Sequence, residues 1–422
     1  MPKSTSPTPS LATHHQNVRW GAFVLLLGLI AIAAFSNNAS FYFLLYALGG
    51  LILLVWVWVS SNLRSLSVAR KFDHHAFHGQ QLIVRLDLRN KGLWPILWLQ
   101  AHENLPIELS TPNFFRSLIS VAPRERLWLE YKINCRQRGY YTIGPLDFQT
   151  GDFWGLFEGY TRIASERLVV YPHIIPLGHL NLPSQAPFGD LHSPQRLIED
   201  PTRSFGARPY QAGDSLRKVD WKTTAATGNL QVKRFQSSIA LDAYLFLNLN
   251  QDDYPMRGLY SATEMGITVA ASLAAYLSHR RQAVGMTVLG LDPLAETVGA
   301  HLIPIRKGHG HLVQLLELLA RIQKAPTPMT FAQTVQQRSA RLPWGTTTFI
   351  ISASAEANVF DLLPNLRRRG LQPVLVLTFP EKRFEVTQAQ AKALGIPCFL
   401  IETEKDLDIW RDARGAKVGG AR

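Results

Sequence analysis

The sequence predicts a multidomain chain: a two-helix transmembrane hairpin, an antiparallel β-sandwich, and an α/β domain with a mostly parallel sheet. Three observations carry this. Two apolar runs without a charge, 20–35 and 41–59, lie close together near the N-terminus. From 65 to 176, short runs alternate apolar and polar residues and are broken by Gly, Pro and Asn, as in strands with one buried face. From Leu241 onward, apolar strand-like runs alternate with amphipathic helix-length stretches, the pattern of strands and crossover helices.

The hairpin is expected over 20–59, after an N-terminal tail at 1–19. A bilayer span needs about 20 apolar residues and at least about 17. The second run meets that length and the first is near its lower limit. Backbone groups in hydrocarbon must pair internally, so both runs are expected to be helices. Only Ser-Asn-Asn-Ala-Ser, 36–40, separates them. Trp20, Trp56 and Trp58 stand near the ends, where aromatic rings favour the interface. A signal peptide is the alternative for the first run; a second apolar run at once, with no small-x-small cleavage site between, counts against it. Lys3 and Arg19 precede the pair, Arg64, Arg70 and Lys71 follow it, and the turn has no Lys or Arg. The positive-inside rule then places both termini and the main domains in the cytoplasm, in a two-pass arrangement. The net charge of +13 suits an anionic lipid surface, nucleic acid or an acidic partner, without choosing among them.

The β-sandwich is expected over 65–176, with strands in 81–90, 96–105, 126–135 and 167–174. Asn90-Lys91-Gly92 reads as a hairpin tip. In 138–159, closely spaced Gly turns separate Tyr141, Ile143, Phe148, Phe153, Trp154 and Phe157. Burial tendencies favour a strand pair plus an aromatic plug there over a docking surface. Pro-rich residues 177–201 read as a linker. Cys135 and Cys398, far apart and in apolar settings, read as buried free thiols.

The α/β domain is expected over 241–405, before a tail at 406–422. Strands are predicted at 241–250, 283–289, 347–352, 373–379 and 397–401. Helices are predicted at 261–281 with Ser261 as N-cap, at 309–323, 330–341, 357–369 and 386–394, and a last one at 406–414.

Motifs for chemistry are few. Ligands of open α/β sheets sit at the carboxyl ends of strands. The first strand here ends with oxygen-bearing Asn248, Asn250 and Asp252 at alternate positions. Two amides and one carboxylate bind a divalent cation weakly, and a polar loop is the favoured reading. Gly308-His309-Gly310-His311 reads as a turn into a helix, and His74, His75 and His78 as a solvated turn. No Walker loop, Gly-x-Ser-x-Gly elbow, His-Glu-x-x-His or Cys-x-x-Cys occurs, so no local motif announces an enzyme.

Residues 202–240 are the most distinctive. In 206–235, Asp214 is expected to cap a short turn, and Asp220 to cap a segment 221–227 closed by Gly228 in the left-handed conformation. Arg208, Arg217, Lys218 and Lys222 are expected to pair with the two acids. The strand after Gly228 is expected to pair back on the α/β sheet.

Arg208, Tyr210, Gly213, Asp214, Arg217, Asp220, Trp221, Ala225, Gly228, Leu230, Val232 and Phe235, in that order, resemble the signature of the bacterial family known as domain of unknown function 58. The stretches Arg-Gly-Tyr-Tyr-Thr-Ile-Gly-Pro and Gly-Asp-Phe-Trp-Gly-Leu-Phe, at 138–145 and 151–157, resemble the family too, although Phe153-Trp154 replaces part of its usual Asp-Pro-Phe-Gly. The resemblance implies a von Willebrand factor A-like α/β region in a protein of the bacterial plasma (inner) membrane. It implies partnership with a MoxR-type AAA+ ATPase, with a transglutaminase-like membrane protein nearby, in assembly or maturation of other proteins. It also implies that Asn248, Asn250 and Asp252 occupy the positions of the Asp-x-Ser-x-Ser metal motif. With Ser352-Ala353-Ser354 where a further Asp is expected, a tight metal site is expected to be lost. The resulting expectation is a membrane-anchored adaptor, not an enzyme, with lipids and the ATPase as partners and no cofactor. The alternatives are a hydrolase using Asp214 or Asp220, and nucleic-acid or anionic-lipid binding through the basic residues of the signature; nucleic acid is not expected.

Overall fold

The computed structural model describes residues 27–28, 30–31, 39–178, 180, 199–211, 219–237, 242–254, 258–354, 357–379 and 384–410. The chain divides between His173 and Ile174 into two compact units.

The first unit begins with helix α1, Ala39–Ser65. Its 27 residues span about 40 Å at 1.5 Å per residue. It is long and apolar enough to cross a membrane. Of the predicted first arm, only Leu27, Gly28, Ile30 and Ala31 are described, and they are helical; the rest of 20–38 lies outside the described residues. The two-pass hairpin is therefore not carried by the structure, which has one candidate span among the described residues. Helix α1 also runs past Val59, where the apolar run ends. Its polar last turns are held by the β-rich region: Trp58 Nε1 and Asn62 Nδ2 both donate to the Pro95 carbonyl, at 3.2 and 3.3 Å.

Ten strands follow: β1 Leu66–Lys71, β2 His75–Phe77, β3 Gln81–Asn90, β4 Ile96–Asn104, β5 Phe114–Val121, β6 Arg126–Asn134, β7 Gly139–Ile143, β8 Leu146–Gly151, β9 Glu158–Ile163 and β10 Glu166–Tyr171. They form three sheets, in the orders β1-β3-β6, β2-β10-β7 and β5-β4-β8-β9. Alternation works as the sequence implies: in β3, Leu82, Val84, Leu86 and Leu88 are buried. They share one core with Leu99 and Ala101 of β4, Ile133 of β6, Phe148 of β8 and Val170 of β10.

Three expectations are corrected here. The pairing of β2 with β10 is parallel. Asn90-Lys91-Gly92 is not a hairpin tip, because β3 and β4 lie in different sheets. The buried Asn90 side chain instead donates to the Trp94 carbonyl at 2.8 Å and accepts from the Gly92 N–H and from Ser65 Oγ. In 138–159, β7 and β8 also belong to different sheets, and Phe153 and Trp154 plug nothing: they are 84% and 58% exposed. Asp152 explains this, since its carboxylate accepts from the Trp154 and Phe157 N–H groups at 2.9 and 2.6 Å and fixes the turn with both rings outward.

One buried charge cluster ties this unit together. The Arg70 guanidinium and the Glu103 carboxylate are fully buried and paired. Arg70 also bonds Glu166 at 3.1 Å and the Ala164 carbonyl at 2.6 Å, and Tyr131 Oη donates to Glu103 at 2.6 Å. Burial, and then the Glu103 charge, push the Tyr131 phenol far above its ordinary range.

The second unit holds a six-stranded sheet of β13 Ala243–Asn248, β14 Val284–Asp292, β15 Thr297–Arg306, β16 Thr347–Ser352, β17 Gln372–Leu377 and β18 Cys398–Leu400, in the order β15-β14-β13-β16-β17-β18. All neighbours are parallel except β15, which runs antiparallel on β14. Strand β13 is buried throughout, as a central strand covered on both faces must be. The helices are α3 Leu259–His279, α4 His309–Arg321, α5 Phe331–Ser339, α6 Ala357–Arg368 and α7 Phe384–Ala393. Helix α3 starts after Gly258, and Ser261 lies inside it, donating to the Gly258 carbonyl. The predicted helix 406–414 is replaced by a 3-10 turn, Glu404–Trp410; 411–422 lie outside the described residues. Cys135 and Cys398 are both buried thiols, and burial pushes the Cys135 thiol up to about 11.

The family-like segment forms a separate two-stranded sheet of β11 Glu199–Pro209 and β12 Gln231–Ser237, with helix α2 Trp221–Thr227 between. The strand after Gly228 thus pairs with β11 and not with the α/β sheet. The predicted linker overlaps the start of β11, and 181–198 lie outside the described residues.

Glu103→Ala is expected to destabilise the first unit by about 3–5 kcal/mol, because it leaves the Arg70 charge buried with only a partly exposed partner. Denaturant unfolding of the detergent-solubilised protein measures this, and Glu103→Leu combined with Arg70→Met is expected to recover much of the loss.

Candidate functional site

The parallel strands bring their carboxyl ends to one edge of the sheet. Asn248 ends β13 and Ser352 ends β16, and the Thr378 N–H donates to the Ser352 carbonyl at 3.0 Å. Both Asn248 and Asn250 are buried, and such amides must be satisfied internally. Asn248 Oδ1 accepts from the Asn250 N–H at 3.0 Å, and Asn250 Oδ1 from the Thr327 N–H at 3.1 Å.

Those two backbone donors decide which way the amides face. With the oxygens pinned, both Nδ2 groups turn to Asp253: Asn248 Nδ2 reaches Oδ2 at 2.7 Å and Asn250 Nδ2 reaches Oδ1 at 3.0 Å. Asn248 Nδ2 also donates to Ser352 Oγ at 3.2 Å. The buried Tyr254 hydroxyl donates to the Asn248 carbonyl at 2.6 Å, and its burial raises that phenol well above the usual range.

The predicted trio is thus corrected at one position. Asn248 and Asn250 come together, but Asp252 is exposed and Asp253 takes its place. Alternate residues share a side only while the chain stays extended. Here β13 stops at Asn248 and a 3-10 turn, Gln251–Asp253, follows. Asp253, Tyr254 and Thr327 were not singled out by sequence reasoning. The adjacent Asp252-Asp253 pair was visible, but not which of the two turns back.

This donor set does not fit a divalent cation. A metal at the Asp253 carboxylate meets amide N–H groups, whereas a hard cation takes oxygen ligands. Among the described residues, no group of three or more His, Cys, Asp or Glu is placed to hold a metal ion. His311 is buried with Nε2 at 2.7 Å from the Val284 carbonyl, and His75 stacks on Tyr171.

The signature hairpin is the second candidate. Arg208 lies in β11 opposite Val232. The Tyr210 N–H donates to the Leu230 carbonyl at 2.9 Å. Asp220 caps α2, accepting from the Thr223 N–H at 3.2 Å, and Gly228 closes it with φ 73°, as the sequence implied. The Thr223 N–H, with help from the Lys233 charge, holds the Asp220 carboxyl below its ordinary range. Trp221 is exposed. Gly213, Asp214, Arg217 and Lys218 lie outside the described residues.

These two features fall in one stretch of known similarity. Residues 206–371 match the family described as Protein of unknown function DUF58. The match runs from the signature through the Asn248–Asp253 network and Ser352, and stops just before β17, so the family resemblance drawn from the signature holds. The chain is also 23% identical, over 318 residues, to the uncharacterized protein YeaD of Bacillus subtilis (strain 168), covering 71% of this chain and 74% of that protein. Among solved structures, a CARDB domain from Pyrococcus furiosus matches 25% of this chain and 86% of its own, at 15% identity and TM-score 0.20. The Pseudomonas fluorescens alkylpurine DNA glycosylase AlkC, bound to DNA containing an abasic site analog, matches 34% and 41%, at 11% identity and TM-score 0.19. Scores this low carry no argument about fold or function.

Substitution, titration and amide exchange test these sites. Asp253→Ala leaves two buried amide donors unpaired and is expected to cost about 1–3 kcal/mol. Calorimetric titration of the native protein with Mg²⁺ is expected to show no saturable binding; a millimolar or tighter site abolished by Asp253→Ala would falsify the closed network. At α2, Asp220→Asn is expected to keep the cap and Asp220→Ala to lose it, read as faster exchange of the Thr223 and Thr224 amides. A folded-state pKa below the unfolded value stabilises above the ordinary carboxylate range. Protection of those amides is therefore expected to be full at neutral pH and to fall as pH drops through the lowered Asp220 pKa.

Proposed function

We propose that this protein is a membrane-anchored, cytoplasm-facing interaction protein and not an enzyme. In this reading α1 is a transmembrane span, and the carboxyl ends of β13 and β16 form a partner surface that works without a metal. The observation that carries it is the Asn248–Asn250–Asp253 network: a polar site built at the strand ends, with each carboxylate oxygen taking one amide N–H. The strand order, with a single antiparallel edge strand, supports a von Willebrand factor A-like reading of the α/β unit. The partner class that the family resemblance suggests is a MoxR-type AAA+ ATPase, acting with this protein in assembly or maturation of other proteins, with a transglutaminase-like membrane protein as a second candidate.

The engagement of Asp220 as a helix cap weighs against its use in hydrolysis, because a general acid needs a raised pKa and a reachable proton. Pull-down of the full-length protein from detergent-solubilised bacterial plasma membranes, with and without ATP, is expected to recover a MoxR-type ATPase. Asp253→Ala is expected to lower that recovery. Recovery of no AAA+ protein in either condition removes the adaptor reading.

A further inference from the structure

The first unit carries four large exposed apolar side chains on two loops: Leu93 and Trp94 between β3 and β4, and Phe153 and Trp154 between β8 and β9. We propose that these loops form a collar that enters the headgroup interface of the bilayer beside α1. This rests on the reading of α1 as a transmembrane span.

Hydrogen bonds and register fix the level and direction of both loops. Pro95 follows Trp94 directly, and its carbonyl takes the Trp58 and Asn62 donors of α1. The β3–β4 loop therefore sits at the level where α1 passes from its apolar body to its polar end. Gly159 packs on Leu63 so closely that a Cβ there would lie 1.9 Å from Leu63 Cδ1. Gly159 stands opposite Thr150, and Thr150 opposite Leu99. Moving from Leu99 to Pro95 along β4 therefore goes from the level of Leu63 toward that of Trp58. Antiparallel β8 runs the same way from Thr150 through Gly151 into its loop. Phe153 and Trp154 lie in the turn that begins where β8 ends, at Gly151. The β8–β9 loop thus lies on the side of Leu63 that leads toward Trp58 and the apolar body of α1.

The occupant follows from chemistry and continuity. Trp and Phe beside a span favour the boundary between hydrocarbon and headgroups. The loops continue an apolar surface that α1 already presents to its surroundings, since little of its apolar stretch is buried. Arg64 is exposed, and so is Lys91, whose N–H bonds the Ser65 carbonyl at 2.9 Å. Both stand about two turns beyond the Trp level, where cations meet anionic headgroups. The Asp152 carboxylate is turned inward, accepting from the Trp154 and Phe157 N–H groups, and is not exposed beside the two rings.

An environment-sensitive fluorophore tests this in the full-length protein, reconstituted in phosphatidylcholine–phosphatidylglycerol vesicles. It is attached through single substitutions Phe153→Cys, Leu51→Cys or Ile107→Cys; Cys135 and Cys398 are buried, and all three sites are exposed. A shallow spin-labelled lipid is expected to cut Phe153-probe emission to roughly half, as for an interfacial group. A deep spin label is expected to act on the Leu51 probe, and neither on the Ile107 probe in the loop at the other end of β4. Quenching at Leu51 with Phe153 behaving like Ile107 overturns the collar alone. A blue shift at Phe153 without lipid quenching assigns the loop to a protein contact and overturns it too. No quenching at Leu51 removes the transmembrane reading, and the collar with it.

Discussion

The first unit depends on how the end of α1 is seated. Near its end, Trp58 and Asn62 bond to the loop that joins β3 to β4, and Ser65 bonds to Asn90, the last residue of β3. Asn90, fully buried, organises the other side, tying Ser65, Gly92, Trp94 and Ala122 through one amide. An apolar helix that entered a β-rich unit through a flexible tether could take any angle. Here its last two turns are part of the unit, so the helix axis and the strands of β4 and β8 share one frame. The level of each loop along the helix is then a consequence of strand register and not of chance.

Buried polar groups hold the rest of that unit in a related way. Arg70, on the strand that follows the helix, reaches Glu103 on β4, Glu166 on β10 and the Ala164 carbonyl, with Tyr131 of β6 on the other Glu103 oxygen. Strands from all three sheets converge on one guanidinium. A buried ion pair adds little stability over an apolar replacement of the same shape, but its hydrogen bonds demand one arrangement. In a unit whose sheets are only three or four strands wide, such a demand helps specify which faces meet.

The legible parts of the sequence were those where one physical rule acts alone. Strands β13, β16 and β17 are buried on both faces, so unbroken apolar runs announced them. Asp220 and Gly228 announced α2 because cap and left-handed stop are local chemistry. Strand β15 was missed because it is an edge strand, half exposed, with Pro304 and Gly299 in place of a continuous apolar run. Asn90-Lys91-Gly92 misled because the turn preference of Asn and Gly is local, whereas whether two flanking strands pair is decided by the core. At the strand ends, Asn248 and Asn250 were readable from spacing. Asp253 was not, since the turn that brings it back replaces strand geometry with 3-10 geometry.

The signature hairpin shows the opposite balance between identity and packing. No residue of α2 is buried. The hairpin is closed mainly by backbone groups: Tyr210 N–H to Leu230, Asp220 N–H to Gln231, and Gln231 N–H to Thr224 Oγ1. Val219 and Val232 form an isolated antiparallel bridge and are both buried. Among the described side chains of this segment only Val219 and Val232 are buried, yet it is the most distinctive sequence in the chain. Trp221, Lys222 and Lys233 remain at the surface. A large aromatic ring held outward at the start of a capped helix gains little from folding alone.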